Sequence, residues 1–190
     1  MRGTSTGLTW RVQPLSKSLE KETRPYFAYG SNMSLEQIKD RCPNYKFEGV
    51  AVLNGKKVVC NKLSKNKIDH FAGLVDSPTD QVMGVLYRLS SEDISYLDGK
   101  EKGYHRSTGE FFVEEIGTGR SIDCFTYLVT NPVTPHRPSP EYLNRIMKGC
   151  RDHKLPLEYM EKIQGWFDVS NEKPFPAAEQ EIKQWIGKRE

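Results

Sequence analysis

Phe47-Glu48-Gly49-Val50-Ala51-Val52-Leu53-Asn54-Gly55-Lys56-Lys57-Val58-Val59-Cys60 is the stretch on which the fold turns. Apolar, valine-rich runs stand on either side of Asn54-Gly55. An Asn-Gly pair suits a two-residue type I′ turn, because both central residues of that turn need positive φ. The pattern predicts an antiparallel hairpin with strands at 47–53 and 56–60. Outward from it, 72–75 and 81–89 read as two more strands, separated by the turn-forming Asp76-Ser77-Pro78-Thr79-Asp80. Residues 111–116 and 122–129 read as a second hairpin across Gly117-Thr118-Gly119, and Tyr26-Phe27-Ala28-Tyr29 as a short aromatic strand that stops at Gly30.

Helices fill the remaining space. Ser34 caps one, Gln37 three residues later completes a capping box, and Pro43 marks its end. Ser90 or Ser91 opens another through Asp93, Ile94 and Leu97, closing near Gly99. After the proline-rich bend at 131–138, Ser139 caps a segment with Tyr142, Ile146 and Cys150 at i, i+4 spacing, and helical stretches follow at 155–166 and 177–186. Strands first, then a helical tail, define an α+β fold: a small mixed or antiparallel β-barrel, or a strongly curled sheet, packed by helices. Residues 1–24, with Trp10 the only large anchor, read as a flexible leader before a single domain at 25–190.

Composition narrows the function. The 190 residues are 36% hydrophobic and 28% charged, polar for a globular protein, but 11% aromatics argue against a fully disordered chain. Lys and Arg total 28 against 25 Asp and Glu, and a net +3 gives no footprint for nucleic acid. The basic cluster at 61–67 reads as a solvated loop. The longest apolar stretches, such as 82–87, fall far short of the roughly 20 residues of a membrane span. No apolar run follows Met1-Arg2, so the expected compartment is the cytoplasm. Cys42, Cys60, Cys124 and Cys150 lie far apart with no Cys-x-x-Cys pair and read as buried thiols, while no His spacing suits a metal and no Gly-x-Ser-x-Gly elbow occurs.

Two segments offer chemistry. At Tyr29-Gly30-Ser31-Asn32 a strand meets a helix, and its backbone N–H groups can hold a carboxylate; the same four residues also make a plain connection. At Leu97-Asp98-Gly99-Lys100-Glu101-Lys102-Gly103 two acids sit three apart where a helix ends. A carboxylate kept dry there suits a general base, whereas one exposed between Lys100 and Lys102 is merely solvated. Tyr127 and Tyr142, in isolation, read as core aromatics with satisfied hydroxyls.

In combination these segments resemble the gamma-glutamylcyclotransferases. Tyr26-Phe27-Ala28-Tyr29-Gly30-Ser31-Asn32-Met33 is similar to the family's opening motif. His70-Phe71-Ala72-Gly73, Asp80-Gln81-Val82-Met83-Gly84-Val85-Leu86-Tyr87, Leu97-Asp98-x-x-Glu101, Cys124-Phe125-Thr126-Tyr127-Leu128, Pro138-Ser139-Pro140-Glu141-Tyr142 and Leu155-Pro156-Leu157-Glu158-Tyr159 follow in order, over roughly Pro25 to Trp166. The resemblance implies a five- to six-stranded barrel, often dimeric, that releases 5-oxoproline from a gamma-glutamyl amine without cofactor or metal. It implies Glu101 as general acid and base, the Tyr29-Gly30-Ser31-Asn32 turn as cradle for the glutamyl carboxylate, and Tyr127, Tyr142 and Tyr104 as pocket tyrosines. The turn after Glu101 is shorter than in the animal enzymes. Ser31-Asn32 is similar to the branch acting on gamma-glutamyl amino acids. The alternatives are a module that binds such ligands without turnover and a hydrolase that yields free glutamate.

Overall fold

The computed structural model describes residues 22–107 and 111–168. Most of the expected leader, Trp10 and the helix expected at 177–186 lie outside the described residues. The element order is β1 (Thr23–Ala28), α1 (Leu35–Arg41), β2 (Lys46–Leu63), β3 (His70–Ser90), α2 (Ser91–Lys100), β4 (Tyr104–Arg106), β5 (Phe112–Glu115), β6 (Ser121–Asp123), β7 (Tyr127–Val129), α3 (Pro140–Asp152) and α4 (Leu157–Phe167). Strands and helices both contribute to the core, as an α+β fold requires.

The Asn54-Gly55 pair does not reverse the chain. β2 runs straight through it and pairs antiparallel with β3 from Lys46↔Arg88 to Leu63↔His70. The turn falls instead at the basic cluster, where Ser64 N–H donates to Asp69 O at 2.8 Å. The expected hairpin at 47–60 and the two expected strands at 72–89 are thus the two arms of one long hairpin. Each half of β2 finds its partner in β3, so the local turn signal is spent on a bulge: Asn54 pairs with Gln81 and Lys56 with Asp76. Gly55, at φ 73°, takes the left-handed conformation that this bend needs.

Five strands form a sheet in the order β1-β3-β2-β5-β6, and β4 and β7 pair separately. The expected second hairpin is therefore divided: β5 and β6 pair across the Gly117–Gly119 turn, but 127–129 leaves to join Tyr104–Arg106. The expected barrel is not met by a closed ladder. The free edges of β1 and of the segment after β6 touch through a single parallel bridge, Tyr26↔Phe125. Phe27 N–H donates to Phe125 O at 2.9 Å and Phe125 N–H to Pro25 O at 3.0 Å. Pro25 has no N–H with which to extend that ladder.

The helices close the lower side. Ser90 caps α2 by accepting from Asp93 N–H, and Ser139 caps α3 by accepting from Tyr142 N–H. Ser34 stands at the start of α1, but its side chain makes no cap bond, so the expected capping box does not form. α3 packs beneath the turn after β1: Gly149 lies so close that a Cβ there would meet Met33 Cβ at 2.6 Å and Ser34 N at 2.7 Å. Among the described residues no helix is long and apolar enough to cross a membrane.

Candidate active site

β1 ends at Ala28, and the chain turns through Gly30 into a single 3-10 turn, Ser31–Met33. That turn engages the N–H groups of Met33 and Ser34, which donate to Gly30 O and Ser31 O at 3.0 and 3.1 Å. The N–H groups of Ser31 and Asn32 precede it and have no backbone acceptor among the described residues. Gly30 is not held in a left-handed conformation, since its φ is −121°. Its missing side chain matters for space: a Cβ would lie 3.4 Å from Ala72 Cβ and 3.5 Å from the Tyr142 hydroxyl, inside a pocket.

That pocket is a small, half-open cavity of about 30 Å³. It brings together every residue that the resemblance implied for the site: Tyr29, Gly30, Ser31, Asn32, Glu101, Tyr104, Tyr127 and Tyr142. Two further residues line it, Tyr26 and Ala72. β1, the turn after it, β3, the end of α2, β4, β7 and α3 supply these groups, and hydrogen bonds between residues distant in sequence fix them. Tyr29 Oη donates to Tyr127 O at 2.6 Å. Ala72 is clamped from two sides, its N–H donating to Tyr142 Oη at 3.1 Å and its carbonyl accepting from Tyr104 Oη at 2.8 Å. The Tyr127 hydroxyl is taken up by Asp98 Oδ1 at 2.7 Å, which also faces Arg106 Nε at 3.1 Å. Of the two acids, Asp98 thus holds a wall in place and Glu101 faces the interior.

Glu101 follows the last turn of α2, its N–H donating to Leu97 O at 2.9 Å. Its side chain is only 13% exposed. The neighbouring lysines do not neutralise it: Lys100 Nζ lies over the Tyr96 ring instead. The cation is Arg41, from the end of α1, whose Nη1 reaches Glu101 Oε1 at 2.7 Å. Asn32 Nδ2 donates to the same oxygen at 3.0 Å and to Tyr26 Oη at 2.8 Å. Arg41 Nη1 and Gln37 Nε2 both donate to Asn32 Oδ1, at 2.9 and 2.8 Å, and Gln37 also donates to Ser31 Oγ at 2.7 Å. Gln37 therefore braces the turn rather than capping a helix. Both bonds to the carboxylate fall on Oε1, and Oε2 has no hydrogen-bond partner among the described residues.

Burial, with the negative charge of Glu101 adding to it, pushes the phenols of Tyr26, Tyr29, Tyr104, Tyr127 and Tyr142 above the ordinary tyrosine range. They remain neutral donors at physiological pH. Burial also pushes the Cys42, Cys124 and Cys150 thiols up to about 12 and Cys60 higher still, so none supplies a thiolate nucleophile. Among the described residues no group of three or more His, Cys, Asp or Glu side chains is placed to hold a metal ion.

Over 152 residues the chain is 38% identical to the gamma-glutamylcyclotransferase of Mus musculus, covering 76% of this chain and 79% of that one. The chain belongs to the gamma-glutamylcyclotransferase family. It is an enzyme of that family, and the Homo sapiens gamma-glutamylcyclotransferase is 34% identical over the same coverage. Residues 81–163 also match the AIG2-like family. A solved gamma-glutamyl cyclotransferase structure superposes with a TM-score of 0.69 at 32% identity, covering 86% of this chain and 99% of its own. YkqA from Bacillus subtilis gives 0.68 at 26% identity over 80% of this chain and 57% of its own.

Arg41 and Tyr26 were not singled out from the sequence. Arg41 is a basic residue in the last turn of a short helix, where a cation suits the helix dipole, and only the fold brings Glu101, 60 residues away, against it.

Proposed function

We propose that the protein releases 5-oxoproline and a free amine from a gamma-glutamyl amine, with Glu101 as general base and then general acid. The observation that carries this reading is a largely buried carboxylate at a tyrosine-lined pocket, bonded through one oxygen and free at the other. The backbone N–H groups of Ser31 and Asn32 receive the glutamyl α-carboxylate. The α-ammonium gives a proton to Glu101, and the freed amine attacks the γ-carbonyl carbon of its own glutamyl group. A carbon–nitrogen bond forms within a five-membered ring. The bond to the leaving nitrogen breaks as Glu101 returns the proton to it, and the ring nitrogen sheds its second proton, which the released amine carries away as an ammonium. No water is consumed, and no protein nucleophile or cofactor enters.

Acid–base help of this kind is typically worth about 10²–10⁴-fold. Holding the substrate curled, with amine and carbonyl in contact, adds the effective molarity of an intramolecular reaction, up to about 10⁵ M or above. The reading extends to one catalytic domain at 25–190 after a leader at 1–24, a homodimer, and work in the cytoplasm without nucleic acid or membrane.

The test incubates the purified protein with gamma-glutamyl-alanine and detects 5-oxoproline by mass spectrometry. Glu101→Gln keeps the shape of the side chain and loses at least about 10² in turnover. Full turnover by Glu101→Gln removes Glu101 from the mechanism. Free glutamate as product identifies a hydrolase, and binding without any product identifies a ligand-binding module.

A further inference from the structure

Lys62 stands beside the pocket without lining it. β2 pairs Cys60 with Ala72 and Lys62 with Phe71, so Asn61 is an extra residue in the ladder. A bulge of this kind re-aims the next side chain, here on the strand that lies against the clamped backbone of Ala72. The lysine stem runs along Gly103, where a Cβ would come within 2.9 Å of Lys62 Cε. Its ammonium lies 4.9 Å from the centre of the Phe71 ring and 5.7 Å from that of Tyr104. Tyr104 is a wall of the pocket, and Phe71 packs edge-on against Tyr142, another wall, at 4.9 Å. The cation thus sits at the rim on the side of the Glu101–Tyr104 turn.

No carboxylate of the described residues pairs with it. Each ion pair found there uses a different lysine or arginine. Partial burial holds the Lys62 ammonium below the ordinary lysine range, and the nearby charge of Glu101 works in the opposite direction. A half-buried ammonium with two aromatic faces and no anion is incomplete as a structural device. It is complete as half of a binding contact.

The proposed reaction says where the other half comes from. The glutamyl end occupies the pocket, and Glu101 must reach the leaving nitrogen, so the leaving group extends past Glu101 towards the rim. In a gamma-glutamyl amino acid, a carboxylate sits one carbon beyond that nitrogen. We infer that Lys62 determines specificity by pairing with this carboxylate, so that the preferred substrates release an amino acid or peptide rather than a simple alkylamine. The inference rests on the cyclotransferase reading above.

The experiment compares kcat/KM for gamma-glutamyl-alanine and gamma-glutamyl-ethylamine, which has the same carbon chain without the carboxylate. The wild-type protein favours the alanine compound, and in Lys62→Met that preference falls by about tenfold or more, the range of a charge-assisted hydrogen bond. Lys62→Arg keeps the preference, and melting curves establish that both variants are folded. A preference in Lys62→Met equal to that of wild type overturns the inference, as does a wild-type protein that treats the two compounds alike. Absence of 5-oxoproline from both compounds in wild type is a different result: it overturns the cyclotransferase reading, and this inference with it.

Discussion

Gly149→Ala tests whether α3 sets the position of the proposed carboxylate cradle. Ordinary contact begins near 3.4 Å, and the added Cβ would meet Met33 Cβ at 2.6 Å, Met33 C at 2.7 Å and Ser34 N at 2.7 Å, so helix and turn must separate by about 0.8 Å. Two of those three obstacles are backbone atoms, which cannot swing aside as a side chain end does. Gly165→Ala in α4 is the matched control, because its Cβ would meet nothing within 4 Å. Both substitutions gain about 1 kcal/mol of helix propensity. Only Gly149→Ala adds overpacking, about 1–3 kcal/mol. The two variants should differ in stability by that amount, at least about 2 °C in Tm for a chain of this size. Displacement of the Ser31 and Asn32 N–H groups should also lower kcat/KM, by up to about 10² for a shift approaching 1 Å. Paired thermal melts and 5-oxoproline assays read both effects. Equal stability and equal activity in the two variants would refute the claim that this helix fixes the cradle.

Arg41→Met leaves Glu101 Oε1 with Asn32 alone; kcat should fall by at least about tenfold, the scale of one hydrogen bond to a charged group, with KM moving less and Arg41→Lys recovering part of the loss. Unaltered kcat in Arg41→Met would make the pair irrelevant to catalysis. His153 bonds Met33 O and Tyr87 Oη, both at 2.9 Å, and burial holds its imidazole below the ordinary histidine range. The unfolded chain therefore takes up this proton first, near pH 6.5, and the native state loses stability as pH falls from there towards the lower folded value. Urea midpoints at pH 7.5 and 5.5 should converge in His153→Gln relative to wild type, and identical pH dependence would exclude His153 as a source.

Elements whose signals are local were legible in the sequence. Ser90 and Ser139 cap their helices because a hydroxyl needs only the N–H three residues on, and Tyr26-Phe27-Ala28 is a buried strand because aromatic residues fit a sheet. Asn54-Gly55 misled because the same positive φ serves a tight turn or a bulge, and only the distant partner strand decides between them. Gln37 has the spacing of a capping box, yet Ser31 and Asn32 offer it acceptors that no spacing rule includes. The pocket residues on the Tyr29–Asn32 turn, at Glu101 and on Tyr104, Tyr127 and Tyr142 were visible through resemblance. Their ties, to Ala72 and Arg41 above all, belong to the tertiary structure.

The clamped pocket also dictates when the site comes into being. Its ties join Tyr29 to Tyr127, Ala72 to Tyr142 and Arg41 to Glu101, partners 98, 70 and 60 residues apart. With such separations, the site is complete only once the long loops between these partners have closed. On a ribosome, no stretch ending before Tyr142 has left the tunnel carries a finished cavity, and half of this domain is not half of an enzyme.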